Sequence, residues 1–487
     1  MSNNRGCAAF QNISTYNCSA GELYLWHSRS GALQRLLPPW QKTIILSQHG
    51  GIEPGDYVLL KMRMGPFPFC FHGRHLENVP GKMFRDTQEK GPFSSWTHSH
   101  YFADNKDGST LTDHIDYSLP CHQFLPPFIN RQINKHILKT LQRLFIHRQN
   151  VLRADISLHK KCSRQPLKIL VSGAGGLLGR HLLPLLTTGG HRVWTLVRRQ
   201  PSPEKNEIFW DPANNILNRD DLPALDGVIH LAGEYIGLGR WGKEKKRRVL
   251  ESRVKGTNLL SSTLATLSQP PGVFLCASAI GYYGNCPGRI VDESQPPGTG
   301  YISEVCKQWE QSAKPAQRAG IRTIFMRLGV GLTPQGGGLK KILSSSPFGL
   351  IRCFGSGRQF ISWMSCDDMV SAMLHAITCT SLHGALNICA PTPVTNRNFM
   401  ATLAHFSKRP LLFPVPAIIL RAVYGQMASE ILLADCAVST QKLQKSGFTF
   451  RHPTLESALN NLLGIYSMLP GKNEENPAPV NTEEQRR

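Results

Sequence analysis

The sequence predicts an α/β fold with a parallel sheet in its central part, preceded by an α+β region. Two observations carry this prediction. From residue 167 onward, short apolar strands alternate with helical segments, which is typical of a parallel sheet with helices packed on it. Residues 1–157 instead show several strand segments in succession, followed by one long helical segment.

The N-terminal region, residues 1–157, is expected to form a domain of its own. Turn residues separate four predicted strands, at 58–64, 69–75, 96–104 and 109–118. The Asp-Gly step before the last of them is typical of a hairpin turn, over 105–108. Apolar residues at helical spacing then predict a helix over 126–155. Residues 158–166 are mostly polar and basic, so we expect a linker there.

The central region, residues 167–408, carries the alternating units. Strands are predicted at 168–172, 192–197, 228–231, 273–277 and 323–328, with a helix at 177–186 between the first two. Residues 409–466 open with prolines and are expected to form a small, mostly helical C-terminal domain. Residues 467–487, with their Pro, Asn and Glu, predict a disordered tail.

A glycine pattern, G-x-x-G-x-x-G, joins the first predicted strand to its helix. Gly173 allows a tight turn, Gly176 lets the backbone approach a pyrophosphate, and Gly179 lets the helix pack closely on the strand. The helix start at Leu177 and Leu178 presents free N–H groups and the positive end of the helix dipole to phosphate. The alternative is a merely tight turn, but the strand–loop–helix context favours a dinucleotide site of the Rossmann type.

The second strand ends in Arg198 and Arg199, where NAD-selective sites usually carry an acidic residue for the ribose 2′-OH. A guanidinium suits a 2′-phosphate, so the sequence predicts NADP, with NAD the less favoured cofactor. The alternative is that both arginines are simply surface charges. Leu231, Ala232 and Gly233 follow another strand and are expected to close over the adenosine side of the cofactor.

The composition narrows the partners and the compartment. The net charge is +22, but the basic residues are spread out and no nucleic-acid-binding motif is present, so we expect a small-molecule substrate and no nucleic acid. The 13 cysteines form no C-x-x-C pair, which favours free thiols in a reducing compartment. Neither a signal peptide nor a membrane-spanning run is apparent, so we expect a cytoplasmic protein.

The chain from residue 167 to 463 resembles the atypical extended short-chain dehydrogenase/reductase (SDR) family, in its YfcH-like "NAD-dependent epimerase/dehydratase family" branch. The resemblance lies in the glycine loop and in the motifs His230-Leu-Ala-Gly-Glu234, Ser278-Ala-Ile-Gly-Tyr-Tyr-Gly284, Trp309-Glu310, Arg327-Leu-Gly329, Gly355-Ser-Gly-Arg-Gln359 and Ser362-Trp-Met364. The C-terminal region matches the same family through Pro414-Val-Pro416 and Gly447-Phe-Thr-Phe450.

The region before it resembles the START-like helix-grip (SRPBCC) domain that precedes the reductase in some relatives. The matching residues include Trp26-His-Ser-Arg29, Leu36-Leu-Pro-Pro-Trp40, Trp96-Thr-His-Ser-His100 and Asp116-Tyr-Ser-Leu-Pro120. The resemblance implies a curved sheet that grips a long helix around a cavity, in which a hydrophobic ligand would bind.

The reductase family implies a catalytic Ser, Tyr and Lys. With Glu310 and the Tyr283-Gly284 step as anchors, these positions fall on Ala279, Ile302 and Cys306. The usual proton-transfer groups are therefore missing. A shift of one residue does not replace them, because neighbouring helix residues point about 100° apart.

Three hydroxyl groups nearby are the candidates for catalysis: Ser278, Tyr283 and Tyr301. The alternative for each is a packing or cofactor-contact role. Cys306 is either a nucleophile or, the favoured interpretation, a buried thiol.

These observations predict an NADP-dependent oxidoreductase or epimerase that acts on an unidentified small metabolite. The alternative is a non-catalytic cofactor-sensing or scaffold protein, which the resemblance to some relatives connects with cell division. His98 and His100 lie two apart on a strand and face one side, so with His72, His75 or His114 they could bind a metal. Strand histidines more often pack or form hydrogen bonds, and we expect no metal site.

Overall fold

The computed structural model describes residues 7–64, 67–120, 124–162, 165–237, 239–344 and 349–466. Its first part is an antiparallel sheet of seven strands in the order β1-β7-β6-β5-β4-β3-β2, with a 36-residue helix packed on one face. The elements are β1 (Cys7–Tyr16), α1 (Ala20–Ser28), α2 (Ala32–Leu36), β2 (Ile44–His49), β3 (Tyr57–Met64), β4 (Phe67–Val79), β5 (Met83–Lys90), β6 (Ser95–Asn105), β7 (Gly108–Ser118) and α3 (Pro127–Cys162).

The four predicted N-terminal strands are present as β3, β4, β6 and β7, and the predicted hairpin turn is confirmed by the pairing of Asn105 with Gly108. Strands β1, β2 and β5 and helices α1 and α2 were not predicted. Helix α3 is longer than predicted and takes up residues 158–162 of the expected linker. Residues 163 and 164 of that linker lie outside the described residues.

Helix α3 buries its apolar face against the concave side of the sheet. Phe145 and Leu141 contact Phe10, Ile115 and Tyr117 in one cluster, and Leu152 joins a second cluster with α1. One cavity between α3 and the strands, lined by polar as well as apolar side chains, measures about 10 Å³, far below the several hundred Å³ of typical ligand pockets. A more open hollow of about 560 Å³ lies between the end of β1 and α3 and is lined by basic side chains, among them Arg153, Lys160 and Lys161. Neither gives support to the expected hydrophobic ligand.

The second part is a parallel seven-stranded sheet in the order β10-β9-β8-β11-β12-β14-β19, covered by helices. Its sheet strands are β8 (Lys168–Ser172), β9 (Arg192–Val197), β10 (Glu207–Phe209), β11 (Gly227–His230), β12 (Val273–Ala279), β14 (Arg322–Leu328) and β19 (Gly384–Ile388). The helices through this part are α4 (Leu177–Thr188), α5 (Lys243–Ala265), α6 (Tyr301–Gln311), α7 (Lys314–Arg318), α8 (Gly337–Ser344) and α9 (Cys366–Thr378). The predicted Rossmann-type α/β fold is confirmed.

Short strand pairs lie outside the large parallel sheet, and two of them join the C-terminal region to the central region. They are β13 (Ile290–Val291), β15 (Val330–Leu332), β16 (Ile351–Phe354), β17 (Phe360–Ile361), β18 (Trp363–Ser365), β20 (Val394–Thr395), β21 (Leu411–Val415) and β22 (Ala437–Val438). The last helices are α10 (Asn396–Ser407), α11 (Ala417–Tyr424), α12 (Gln441–Lys445) and α13 (Leu455–Leu463). Because β21 pairs with β16 and β22 with β13, the C-terminal region shares its sheets and its core with the central region.

A buried ion cluster connects the two parts of the molecule. The guanidinium of Arg35 on α2 lies 2.7 Å from Asp155 of α3 and 2.7 Å from Asp367 of α9. Arg451, which follows α12, contacts the same Asp155 at 2.6 Å. The cluster therefore contains two cations and two anions from four chain segments. Among the described helices, none combines the length and apolarity needed to cross a membrane.

Candidate functional site

The glycine loop lies between β8 and α4, and its three glycines are needed for different reasons. Gly173 has φ +74°, and a Cβ there would lie 2.7 Å from the backbone of Leu231. A Cβ on Gly179 would lie 2.5 Å from two carbonyl oxygens of the loop, those of Gly173 and Ala174. Gly176 is the N-cap residue of α4, and no side chain forms a capping hydrogen bond to the first turn of this helix. The loop is therefore tight on its inner side and open at the helix start.

Gly175 shows where the open side is. It is exposed, and a Cβ placed on it would meet nothing within 4 Å. The uncapped first turn of α4 directs its N–H groups to the same end of the helix, where an anion is favoured. Leu177 and Leu178 are half-buried, Leu177 beneath Gly336 and Leu178 against the main core. Only their backbone N–H groups are suited to phosphate.

A buried hydrogen-bond chain fixes the loop to the end of β11. Ser172 Oγ accepts the N–H groups of Leu231 and Ala232 at 3.2 and 3.3 Å. Its hydroxyl hydrogen is left to donate to His230 Nδ1 at 2.6 Å, and His230 Nε2 then donates to Thr257 at 3.0 Å. Burial lowers the pKa of His230 to about 3, so the imidazole is neutral. The predicted cofactor segment 231–233 is thus held directly beside the loop.

The two predicted arginines differ in their contacts. Arg199 forms two hydrogen bonds with the carboxylate of Glu207, at 2.6 and 2.8 Å, and is not free to bind a ligand in this conformation. Arg198 is exposed and makes no hydrogen bond or ion pair with the part of the chain that the structure describes. Of the pair, Arg198 has the guanidinium that a 2′-phosphate would require.

The residues at the three expected catalytic positions lie together. Ala279, at the end of β12, and Ile302 and Cys306, one turn apart on α6, belong to one apolar cluster. Trp241, from the loop before α5, and Met427, from the C-terminal region, belong to the same cluster. The structure therefore brings the three positions together, and their side chains are apolar or a buried thiol in place of proton-transfer groups.

Ser278 and Tyr283 are bound into the interior. Ser278 donates to Glu310 at 2.7 Å, and Glu310 accepts two further hydrogen bonds from Arg327, at 2.9 and 3.0 Å. Arg327 also donates to the hydroxyl of Tyr283, which donates to Asn387 at 2.7 Å. Ser278 is 1% exposed and Tyr283 3% exposed. These buried contacts favour the packing alternative over catalysis for both residues.

Tyr301 is the more accessible of the three candidates. Its hydroxyl donates to the carbonyl of Lys246 at 2.6 Å, and its ring packs against Trp241. Burial raises its pKa to about 12. Cys306 is 2% exposed, and burial raises the pKa of its thiol to about 12, which favours the buried-thiol interpretation.

Two residues at this site were not found from the sequence. Glu430 accepts the N–H groups of Tyr301 and Ile302 at 3.1 and 2.8 Å, so a side chain from the C-terminal region caps α6. Arg253 on α5 donates to the carbonyl of Glu234, beside Gly233, and stacks over Trp309. Neither has a local motif, because each acts on a segment more than 15 residues away in the chain.

A parallel sheet with a glycine loop before its first helix defines the class: a dinucleotide-binding protein of the Rossmann type. A family model described as "NAD dependent epimerase/dehydratase family" matches residues 169–389, and one described as a "domain of unknown function (DUF1731)" matches residues 415–462. An epimerase family protein of Mycobacterium bovis is 35% identical over 291 residues, which cover 60% of this chain and 96% of the relative. The chain belongs to the NAD-dependent epimerase/dehydratase family.

Other relatives extend the comparison. The human epimerase family protein SDR39U1 is 32% identical over 301 residues, 61% of this chain and 100% of its own length. A solved structure of that human protein, with NADPH, has 30% sequence identity and a TM-score of 0.57, and the match covers 61% of this chain and 99% of the human chain. A structure described as the nucleoside-diphosphate sugar epimerase from Corynebacterium glutamicum has 28% identity and a TM-score of 0.75, covering 94% of this chain and 90% of that chain.

Proposed function

We propose that this protein is an NADP(H)-dependent oxidoreductase or epimerase-like enzyme for a small metabolite. The observation that carries the proposal is the glycine loop, tight against Leu231 on one side and open at Gly175 on the other. The human relative solved with NADPH supports NADP(H) as the cofactor, and the partner-free Arg198 supports the 2′-phosphate. When bound, the nicotinamide supplies hydride transfer.

The chain's own residues hold the cofactor and shape the reaction site. The N–H groups at the start of α4, together with residues 231–233, bind the diphosphate and adenosine side, and Arg198 selects the 2′-phosphate. The apolar wall of Ala279, Ile302 and Cys306 excludes water from the site beside it and offers no proton at the usual positions.

For proton transfer we propose Tyr301, with Ser278 and Tyr283 as positioning residues. Tyr301 is half-buried, whereas the hydroxyls of Ser278 and Tyr283 are buried in the Glu310–Arg327 network. Tyr301 must release the carbonyl of Lys246 to donate to a substrate oxygen. The neutral hydroxyl, held by a pKa of about 12, is the form that can donate.

The domain organisation is also a proposal. We infer a START-like helix-grip (SRPBCC) domain over 1–157, an NADP-binding domain over 167–408 and a small C-terminal domain over 409–466. The seven-stranded antiparallel sheet with the long helix α3 packed on one face supports the first assignment. The cysteines with described side chains are free thiols, which supports a reducing compartment such as the cytoplasm.

The test combines binding with turnover. NADPH and NADH are titrated into the full-length protein, and NADPH oxidation is followed with nucleoside-diphosphate sugars and with apolar carbonyl compounds as acceptors. We expect NADPH to bind more tightly than NADH and at least one acceptor class to be reduced. Failure to bind NADPH would contradict the proposal. Tight binding without turnover would favour the cofactor-sensing or scaffold alternative, which finds no support among the relatives described above.

A further inference from the structure

A second cluster of ionisable side chains lies in the N-terminal sheet, far along the chain from the cofactor site. Asp86 on β5 pairs directly with His98 on β6, and His100 on β6 pairs directly with Asp113 on β7. Because residues two apart on a strand face the same side, the four side chains converge on the face covered by α3. Sequence analysis had considered His72, His75 and His114 as partners, whereas the structure brings two carboxylates to the histidine pair.

The distances arrange the two imidazoles between the two carboxylates. Asp86 Oδ2 lies 3.7 Å from His98 Nδ1 and 3.7 Å from His100 Nε2. On the opposite side of the rings, Asp113 Oδ1 lies 3.3 Å from His98 Nε2 and 2.8 Å from His100 Nδ1. The two nitrogens on the Asp113 side, His98 Nε2 and His100 Nδ1, are buried without a well-aligned hydrogen-bond partner among the described residues. The ring centroids are 3.9 Å apart.

We propose that Asp86, His98 and His100 bind one divalent transition-metal cation of the Zn²⁺ type. One oxygen or nitrogen atom from each residue lies within 4.8 Å of the others. Ligands about 2.0–2.1 Å from a tetrahedral Zn²⁺ are about 3.4 Å apart, close to the 3.7 Å from Asp86 to each imidazole. Two imidazoles with one carboxylate favour zinc, iron, nickel or copper over calcium and magnesium.

The surroundings suit such a site. The side chains of His98 and His100 are 8% and 9% exposed, so their rings are fixed, whereas Asp86 is 20% exposed and gives an approach from solvent. When the metal is bound by Asp86, His98 Nδ1 and His100 Nε2, Asp113 faces the two ring nitrogens that do not bind it. That arrangement, a carboxylate behind a metal-bound histidine, orients the ring and strengthens the ligand.

The competing explanation is a buried ionic network without metal. Burial lowers the pKa of Arg148 on α3, and the nearby carboxylates of Asp113 and Asp86 offset that effect in part. Burial alone would lower the pKa of His100, but the two carboxylates raise it. In that explanation Arg148 and a protonated His100 balance the two aspartates, and no cation binds.

The experiment measures metal binding by the full-length protein, produced without a polyhistidine tag and stripped with a chelator. ZnCl₂ is titrated calorimetrically, and CoCl₂ is added in parallel to record the visible d–d absorption of the bound ion. We expect one Zn²⁺ per chain. Asp86→Asn and His98→Ala are expected to weaken binding by at least about 100-fold, and Asp113→Asn by about 10- to 100-fold.

His114→Ala is the matched control, because His114 is also a strand histidine beside an aspartate, Asp116 at 3.2 Å, but lies outside the cluster. It should bind Zn²⁺ like the wild type. NADPH affinity serves as the test of folding for every variant, and it also separates this proposal from the cofactor site. If His98→Ala does not fold, the nearly isosteric Asp86→Asn decides. Wild-type protein that binds less than one Zn²⁺, or binding unchanged in Asp86→Asn, would overturn the proposal.

Discussion

At the scale of single residues, the two arginines after β9 differ in their contacts. Arg199 is already paired with Glu207, whereas Arg198 is exposed and forms no hydrogen bond or ion pair with the described residues. We predict that Arg198→Ala weakens NADPH binding by about 10- to 100-fold, because a hydrogen bond to a charged group contributes about 1.5–3 kcal/mol. NADH, which lacks the 2′-phosphate, should bind the variant and the wild type equally. Fluorescence titration with both nucleotides measures the difference.

Arg199→Ala is the matched control for that prediction. The substitution also removes a guanidinium group, but this group is already hydrogen-bonded to Glu207. The affinity for NADPH should therefore change far less. If the two substitutions weaken NADPH binding equally, the proposal that Arg198 selects the 2′-phosphate is wrong.

The sequence predicted both arginines but could not distinguish them. The distinction depends on Glu207, which reaches Arg199 because β10 pairs in parallel with β9. The same limit applies to Ser278 and Tyr283. Ser278 donates to Glu310 of α6, whereas the partners of Tyr283, Arg327 and Asn387, come from β14 and β19. Long-range pairings of this kind have no local pattern in the sequence.

At the scale of elements, the β8–loop–α4 unit was predictable because its chemistry is local. Three glycines at fixed spacing, after an apolar strand and before an apolar helix, permit one backbone path. Helix α6 shows the opposite case. The sequence places residues 302 and 306 one turn apart, as the helix has them, but its N-terminal cap, Glu430, comes from the C-terminal region. In the N-terminal sheet, β1 was missed because it buries the polar Ser14 and exposes the apolar Ile13, the reverse of the pattern that predicts a strand.

The glycine loop gives a prediction at this scale. A Cβ on Gly179 would lie 2.5 Å from two backbone oxygens that cannot move without breaking the turn. We therefore predict that Gly179→Ala destabilises the protein by about 1–3 kcal/mol and also weakens NADPH binding. Equilibrium denaturation in urea and nucleotide titration measure the two effects. Gly175→Ala has open space around the added Cβ, so it should weaken NADPH binding with little loss of stability. A stability loss as large as that of Gly179→Ala would contradict the loop geometry described above.

At the scale of the whole molecule, the ion cluster of Arg35, Asp155, Asp367 and Arg451 joins the N-terminal part to the Rossmann-type part. Asp155 is fully buried between the two arginines. Asp155→Asn keeps the shape but leaves a buried positive charge without its partner, and we predict a loss of about 3–5 kcal/mol in the free energy of unfolding. Urea denaturation measures this loss. As the control, Arg247→Ala removes two exposed ion pairs on α5 and should change stability little. Equal effects would show that the cluster does not connect the two parts.

Buried histidines make the stability of the whole molecule sensitive to acid. Burial lowers the pKa of His230 to about 3. It lowers the pKa of four other histidines to about 4: His27, His147, His159 and His191. In the unfolded chain a histidine has a pKa of about 6.5, so the unfolded state binds more protons below that value. The stability from their neutral forms is complete above about pH 6.5 and is lost as the pH falls toward 4. His100, whose pKa is raised, acts in the opposite direction.

We therefore predict that the unfolding temperature is nearly constant from pH 8 to 7 and falls steadily from pH 6.5 to 4.5. Thermal unfolding at constant ionic strength measures it. Asp155 contributes little in most of this window, because the stability from its lowered pKa is lost only as the unfolded-state carboxyl becomes protonated, from about pH 5 downward. Replacing His191 with asparagine keeps an acceptor for the N–H of Leu167 and removes one titrating group. This variant should lose up to about 1.4 kcal/mol less stability per pH unit than the wild type.

His49→Asn is the control, because the side chain of His49 is 74% exposed, and it should leave the dependence of stability on pH unchanged. An unfolding temperature that is independent of pH down to 5 would contradict the burial of these histidines in their neutral form.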